Sequence, residues 1–370
     1  MSISKKPKYI TLAQRIKQQI QSGKLQPGDR LPSFTQMRAE FGATPATVER
    51  LYALLERDNL IERRHRSGVF VASASTKSTL NGTLGFVALR FNGEKLHPYN
   101  HYLLQGVQEV TNEAQVQIML LDYGTIPASR NKIDGLLIYE HELSKFLPYQ
   151  EQGIPCVSVL KRMDEIASVT ADDFNGGKLI TQHLLDLGHQ RIACLMGTAK
   201  DDSQHDALGA QRLAGYRAAL RESAISPLAT WQRPVLYNPL ENYTERGYSL
   251  MSQWLREDWH QLNCTAILTQ NDDVAIGVIN ALQEAGLQVP RDVSVVGFDG
   301  ADVDAHFTPR LTTIELPLKT IGQLGTQKLL RLIRGESLEQ HSVLPVSLRI
   351  GQSTAATKVL SGVTHVASIT

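Results

Sequence analysis

Cysteine is scarce and scattered in this sequence: only Cys156, Cys194 and Cys264 occur in 370 residues, each within an apolar run. Such spacing excludes a disulfide framework and a cysteine metal cluster, and predicts reduced, buried thiols. Long hydrophobic runs are missing as well. No stretch approaches a membrane span, and the opening residues lack the apolar core of a secretory leader, so a cytoplasmic chain with no membrane partner is expected. Catalytic signatures are equally wanting. The sequence holds no G-x-x-x-x-G-K-[ST] phosphate loop, no H-E-x-x-H helix and no G-x-S-x-G elbow, and Gly176-Gly177-Lys178 is only a fragment of the first. The acidic pairs Asp172-Asp173 and Asp272-Asp273 open helices, where carboxylates complement the helix dipole. No catalytic residue, metal or cofactor is therefore expected.

Net charge is also close to nil, at +1, but it is unevenly spread: residues 1–72 hold 13 Lys and Arg against 6 Asp and Glu, and the remainder 25 against 31. A basic module on a mildly acidic body is the electrostatic footprint of a protein that meets a phosphate backbone. Charge alone fits a solvated lysine-rich terminus equally well. The length exceeds that of one hydrophobic core and predicts two or three packed units.

Periodicity within residues 1–72 gives three short helices and a hairpin. Thr11 is placed to cap a helix bearing Leu12, Ile16 and Ile20, which Gly23 ends. Ser33-Phe34-Thr35-Gln36 has the form of a capping box before Met37 and Phe41, with Gly42 as the stop. Thr44 caps a third helix with Pro45 in its first position and a stripe of Val48, Leu51, Tyr52 and Leu55. Residues 60–63 and 69–71 read as a two-stranded wing. Only Gly42-Ala43-Thr44 separates helices two and three, which is helix-turn-helix spacing and would lay the third helix in a major groove of double-stranded DNA.

This segment resembles the GntR family of DNA-binding domains through Ile20-x-Ser22-Gly23-x-Leu25-x-Pro27-Gly28-Asp29-x-Leu31-Pro32-Ser33, Phe41-Gly42, Thr47-Val48 and Ser67-Gly68-x-Phe70-Val71. Thr35, Pro45 and Glu49 stand where that family usually carries arginine. The resemblance, so altered, implies DNA contact by Thr44, Thr47 and Arg50 of the third helix and by Arg63, Arg64, Arg66 and Gly68 of the wing, with Ser33 reaching a phosphate. Glu49 either accepts from a cytosine amino group or faces solvent.

Residues 73–83 are small and polar, as in a mobile linker. From Leu84 onward, short apolar runs at 84–89, 116–121, 135–138, 156–160, 192–196, 266–268 and 293–296 alternate with helical patterns, which predicts parallel sheets covered by helices. Ligands of such sheets bind beyond the carboxyl ends of strands. Among the motifs that follow are Thr170-Ala171-Asp172-Asp173-x-x-Gly176-Gly177, Arg212-x-x-Gly215-Tyr216, Asn271-Asp272-x-x-Ala275-x-Gly277 and Val293-Ser294-Val295-Val296-Gly297-Phe298-Asp299. Together they resemble the LacI/GalR effector-binding domain over about 270 residues.

The implied fold class is α/β: an N-terminal winged helix-turn-helix followed, over 84–356, by a two-lobed type I periplasmic-binding-protein fold with parallel sheets. One lobe is expected from 84–172 plus 314–340 and the other from 173–312 plus 341–356, with 357–370 a tail of unassigned role. The resemblance implies an effector cleft lined by Arg212, Asn271 and Asp299, with Phe91 and Tyr99 offering an apolar face. Arg162, Arg90, Glu140, Lys161, Asp172 and Tyr243 are further candidates, the basic ones suiting an anionic ligand. For Asn271 a helix cap, for Asp299 a turn, for Arg212 a structural ion pair and for Tyr243 simple packing are the competing readings; His189 reads as a structural residue. The whole implies an allosteric transcription regulator, most simply a homodimeric repressor, whose partners are operator DNA and a sugar-like effector. Induction and corepression both remain open.

Overall fold

The structure is a computed structural model and describes residues 8–21, 24–26, 28–57, 60–64, 68–71, 82–87, 98–121, 132–139, 146, 149–150, 153–197, 207–236, 242–300 and 307–357. The first unit comprises α1 (Lys8–Gln21), α2 (Phe34–Phe41), α3 (Pro45–Arg57) and an antiparallel pair, β1 (Ile61–Arg64) and β2 (Gly68–Val71). Its core is the predicted stripe: Leu12, Ile16, Met37, Val48, Leu51, Tyr52 and Leu55 are buried together. Ser33 closes a capping box with Gln36, and Gly42 ends α2 in the left-handed conformation at φ 55°. Helix α1 starts at Lys8, so Thr11 lies inside it rather than capping it. The wing also gains a third segment that the sequence does not announce. Residues 28–31 bond to its outer strand through Gly28 N–Val71 O, Val71 N–Asp29 O and Leu31 N–Val69 O.

The larger part has two parallel sheets. Six strands make the first, in the order β13-β7-β6-β5-β3-β4: β3 (Thr83–Val87), β4 (Gln117–Leu121), β5 (Gly135–Ile138), β6 (Cys156–Val159), β7 (Ala167–Ala171) and β13 (His341–Leu344). Strand β3 thus begins at the last residue of the predicted linker. Four strands make the second, ordered β11-β10-β8-β9: β8 (Ile192–Met196), β9 (Gln232–Pro234), β10 (Ala266–Thr269) and β11 (Ser294–Val296). Every predicted run contains a strand among its described residues. Along β8, Ile192, Cys194 and Met196 join one core cluster while Ala193 and Leu195 join another. Alternation between two apolar faces is what a sheet covered on both sides requires.

The helices are α4 (Pro98–Glu113), α5 (Asp173–Asp186), α6 (Ala207–Glu222), α7 (Tyr243–Glu257), the single-turn α8 (Trp259–Leu262), α9 (Asp272–Glu284) and α10 (Leu318–Ile333). They pack as α4 on α10, α5 on α6 and α7 on α9. At each crossing two glycines face the partner's backbone: Gly106 and Gly322, Gly177 and Gly215, Gly247 and Gly277. All three thiols are buried and free, and burial pushes each up to about 12.

Three chain crossings join the lobes. The first runs from β7 into α5, the second from β12 (Thr313–Glu315) into α10, and the third from β13 into β14 (Ser347–Arg349). The expected boundary at 341 needs correction, because β13 pairs with β7 from His341↔Ser168 to Leu344↔Ala171 and so belongs to the first sheet. The return to the second lobe follows Leu344. Beyond it, Ser353 Oγ donates to Val295 O and accepts from Thr312 N. Asp172 N bonds Leu344 O, and β12 pairs antiparallel with β14, so the three crossings are laced together. Of the tail, Thr357 N still bonds Leu187 O.

His189 is buried at 3% exposure, with Nε2 3.0 Å from Ala355 O and Nδ1 2.8 Å from Thr265 Oγ1. A carbonyl can only accept, so Nε2 carries the proton and Nδ1 accepts from the threonine. Burial holds its pKa below the usual imidazole value. The unfolded chain therefore takes up the proton first, and stability present above pH ~6.5 is lost as pH falls from there toward the folded value. Melting temperature should drop over that interval in the wild type, and His189→Gln should flatten the slope.

Candidate functional site

At the junction of the lobes lies a buried arginine. Arg212, on α6 and 4% exposed, donates from Nε to Asp173 Oδ1 at 2.7 Å and from NH1 to Gln270 O at 2.6 Å, and its NH2 lies 3.2 Å from Asp299 Oδ1. Its guanidinium carbon stands 3.7 Å from the Phe298 ring centroid. The sequence places these groups by simple means. Asp173 is the first residue of α5, Gln270 follows β10 and Asp299 follows β11, so strand ends and helix starts converge on Arg212. Asp299 holds φ 113°, a region costly for any residue with a Cβ, and is fixed there by Asp299 N–Ile314 O and Leu316 N–Asp299 O.

Burial alone would lower the Arg212 pKa, but Asp173 and Asp299 more than reverse it. Asp173 is held above the usual carboxylate range by burial, against the pull of Arg212. From the first lobe, Tyr99 stacks on Tyr139 with centroids 5.8 Å apart. Both phenols are pushed far up by burial, and the charge of Asp299 adds to the shift in each. Tyrosines of one lobe thus feel a carboxylate of the other.

Of the predicted effector residues, Arg212, Asp299 and Tyr99 come together. Asn271 is half-buried and spends Oδ1 capping α9 by accepting from Val274 N at 2.9 Å, the competing reading made real. Asp172 caps α5 in the same way through Asn175 N. Tyr243 opens α7, is half-buried, and interacts electrostatically with Tyr139. Lys161 is buried just after Leu160, whose φ is 70°. The Arg162 side chain is 61% exposed and pairs with Asp164 at 3.0 Å, apart from the buried cluster. Arg90, Phe91 and Glu140 lie outside the described residues.

Sequence reasoning missed Gln270 and Tyr139. Tyr139 directly follows β5, so the rule of reading just past each strand would have found it. Asp272, read as a dipole partner, is buried and serves the hinge: it accepts from Thr313 Oγ1 and from Gly300 N.

On the winged unit, Thr44 caps α3, accepting from Thr47 N at 3.3 Å with the two hydroxyls 2.8 Å apart. Arg50 is exposed on the same helix, and Ser33 is exposed at the start of α2. Gly68 holds φ 115°, and a Cβ there would meet the Arg30 side chain at 2.9 Å. Arg30 is a cation beside the wing that sequence reading passed over. Arg63 is spoken for, pairing with Glu49 and Glu56, so Glu49 is tied to the wing while its carboxylate stays exposed on α3. Arg64 ends β1, its side chain undescribed, and Arg66 falls outside the described residues. Among the described residues, no helix is long and apolar enough to cross a membrane.

Comparison with known proteins agrees with both halves. Residues 8–71 match the model for bacterial regulatory proteins of the gntR family, and 181–354 match the periplasmic binding protein-like domain. The arabinose metabolism transcriptional repressor of Geobacillus stearothermophilus is 27% identical over 353 residues, covering 90% of this chain and 93% of the relative. The probable HTH-type transcriptional repressor ExuR of Bacillus subtilis strain 168 is 30% identical, covering 77% and 79%. Among solved structures, a LacI family transcriptional regulator from Enterococcus faecium with bound ribose superposes with a TM-score of 0.63 at 25% identity, covering 75% of this chain and all of that one.

Proposed function

We propose, from the premise that this chain belongs to the bacterial HTH-type transcriptional repressors that join a gntR-family domain to a periplasmic binding protein-like domain, that a sugar binding beside Arg212 governs its hold on DNA. The chain is a DNA-binding transcription regulator responsive to a small molecule. The observation that carries the site is the buried Arg212, held by carboxylates from two strand-and-helix junctions and faced by tyrosines of the opposite lobe. Arg and Asp fork onto adjacent hydroxyls, an aromatic wall covers a sugar's apolar face, and Asn271 keeps its amide N–H groups after capping α9.

Closure of the lobes on the ligand would alter the spacing of two winged units presented by a homodimer to a two-fold operator in the cytoplasm. Thr44, Thr47 and Arg50 would enter the major groove, with Ser33 at a phosphate. A coupling of about 1–3 kcal/mol suffices to change occupancy 5- to 150-fold. Aldopentoses, hexoses, hexuronates, sugar phosphates and nucleosides should be screened by thermal shift. A ligand at 100 times its Kd is expected to stabilise the fold by about 2.7 kcal/mol. The same compound should then release, or tighten, operator DNA. If no compound moved the melting temperature while DNA binding persisted, the sugar assignment would fall and the regulator would stand.

A further inference from the structure

The strongest feature outside the cleft is the ion-pair cluster between wing and third helix. Arg63 NH1 donates to Glu49 Oε1 at 2.8 Å and Nε reaches Glu56 Oε2 at 3.0 Å, with the guanidinium carbon 5.9 Å from the Tyr52 ring centroid. Tyr52 is itself buried, and its hydroxyl donates to Pro32 O at the entry to α2. One arginine thereby locks the wing, α3 and the α2 approach into a single body. Two carboxylates share that one cation, so Arg63 has no surplus charge for a phosphate.

Glu49 remains 60% exposed, one residue before Arg50 and two after Thr47. An acidic side chain on a groove-facing helix is repelled by phosphates unless a cation offsets it, and Arg63, shared with Glu56, offsets part of that charge here. Its carboxylate offers about four acceptor positions, so the bond to Arg63 fixes its orientation and leaves room for another donor. In the major groove, the donor that an acid matches is the cytosine amino group.

We infer that Glu49 reads a cytosine in the operator, and that Arg63 is a positioning residue that orients Glu49 rather than a phosphate ligand. The inference rests on the proposed docking of α3 in the major groove. It also accounts for an acidic residue at a position where bare negative charge would only weaken binding.

The test is selection from random duplexes by the full chain, as wild type, Glu49→Ala, Glu49→Gln and Arg63→Ala, each checked for folding by circular dichroism. The wild type should enrich a C·G pair at one position in each half-site. In Glu49→Ala that preference should fall roughly 5- to 150-fold, with other positions unchanged. Glu49→Gln, which keeps one accepting oxygen, should retain part of it. Arg63→Ala should relax the same position and leave the dependence of affinity on salt unaltered. Should Arg63→Ala not fold, Arg63→Lys keeps the charge without forking both carboxylates and is expected to relax the position too. An unchanged selection by Glu49→Ala would overturn the inference, as would a salt slope in Arg63→Ala reduced by about 0.9, the loss of one phosphate contact. A wild type that enriches no sequence would instead overturn the DNA-reading function beneath it.

Discussion

Arg212→Ala should cost the effector-binding domain about 3–5 kcal/mol and abolish its response to ligand, because Asp173, at 6% exposure, would be left as an unpaired buried charge. The effect should depend on pH in a definite direction. Without the guanidinium, burial and the neighbouring Asp172 charge act on Asp173 unopposed and lift its folded pKa further above the unfolded ~3.9. The folded variant then holds the extra proton, so its stability is greatest in acid and is lost as pH rises through the raised value. The gap between wild type and variant should accordingly narrow on acidification, as read by urea melts at pH 7 and pH 5. Adding Asp173→Asn should restore part of the loss, since the stranded charge goes with it. Arg212→Lys should not rescue ligand response, for a point charge cannot reach Asp173, Gln270 and Asp299 in one fork. A stable Arg212→Ala protein with unchanged ligand affinity would remove Arg212 from the site.

Gly177→Ala should be a damaging single methyl in the second lobe, and one that strikes Arg212 itself. Its Cβ would stand 2.1 Å from the carbonyl oxygen of Arg212 and 3.0 Å from that residue's Cα, and backbone on a helix cannot turn aside as a side chain does. Helices α5 and α6 would have to separate, at a cost of about 1–3 kcal/mol or more. At about 2–4 °C per kcal/mol for a domain of this size, the melting shift is easily measured. Because the clash moves Arg212 itself, ligand affinity should fall with stability. Gly335→Ala is the control: φ is 77° but nothing lies within 4 Å, so only the local backbone penalty of about 1–2 kcal/mol applies, with no change in ligand affinity. Equal affinities in the two variants would show that the α5–α6 crossing does not position the site.

What could be read from the sequence was governed by burial pattern. Strands such as Ile192–Met196 are apolar on both faces because helices cover both, and these announce themselves. Strand β7, Ala-Ser-Val-Thr-Ala, is fully buried yet composed of small and hydroxylated residues, and β13, His-Ser-Val-Leu, is an edge strand with Val343 56% exposed. Neither carries an apolar run, so both were missed and the lobe boundary was misplaced. The caps of α2 and α3 were legible because the chemistry is local: Ser33 with Gln36, and Thr44 with Thr47, lie three residues apart. Arg63 was not, since its partners Glu49 and Glu56 sit on a different element. For the same reason the motif named Arg212 and Asp299, but not Gln270, whose part is played by its main-chain carbonyl.

The lacing of the three crossings has a mechanical consequence. Were the connections separate strings, the lobes could slide, twist and rock independently. Asp172 N–Leu344 O clamps the first strand of the joint to the third, and the Thr313↔Arg349 to Glu315↔Ser347 ladder clamps the second to the third. What is left is an axle. Arg212 grips Asp173, next to one clamp, and Asp299, which bonds the segment beside the other, so a ligand bound beside Arg212, as proposed, would work close to the pivot. Near a pivot, a shift of a fraction of an ångström already sets an angle, and the far rim of each lobe carries that angle outward over a longer arm.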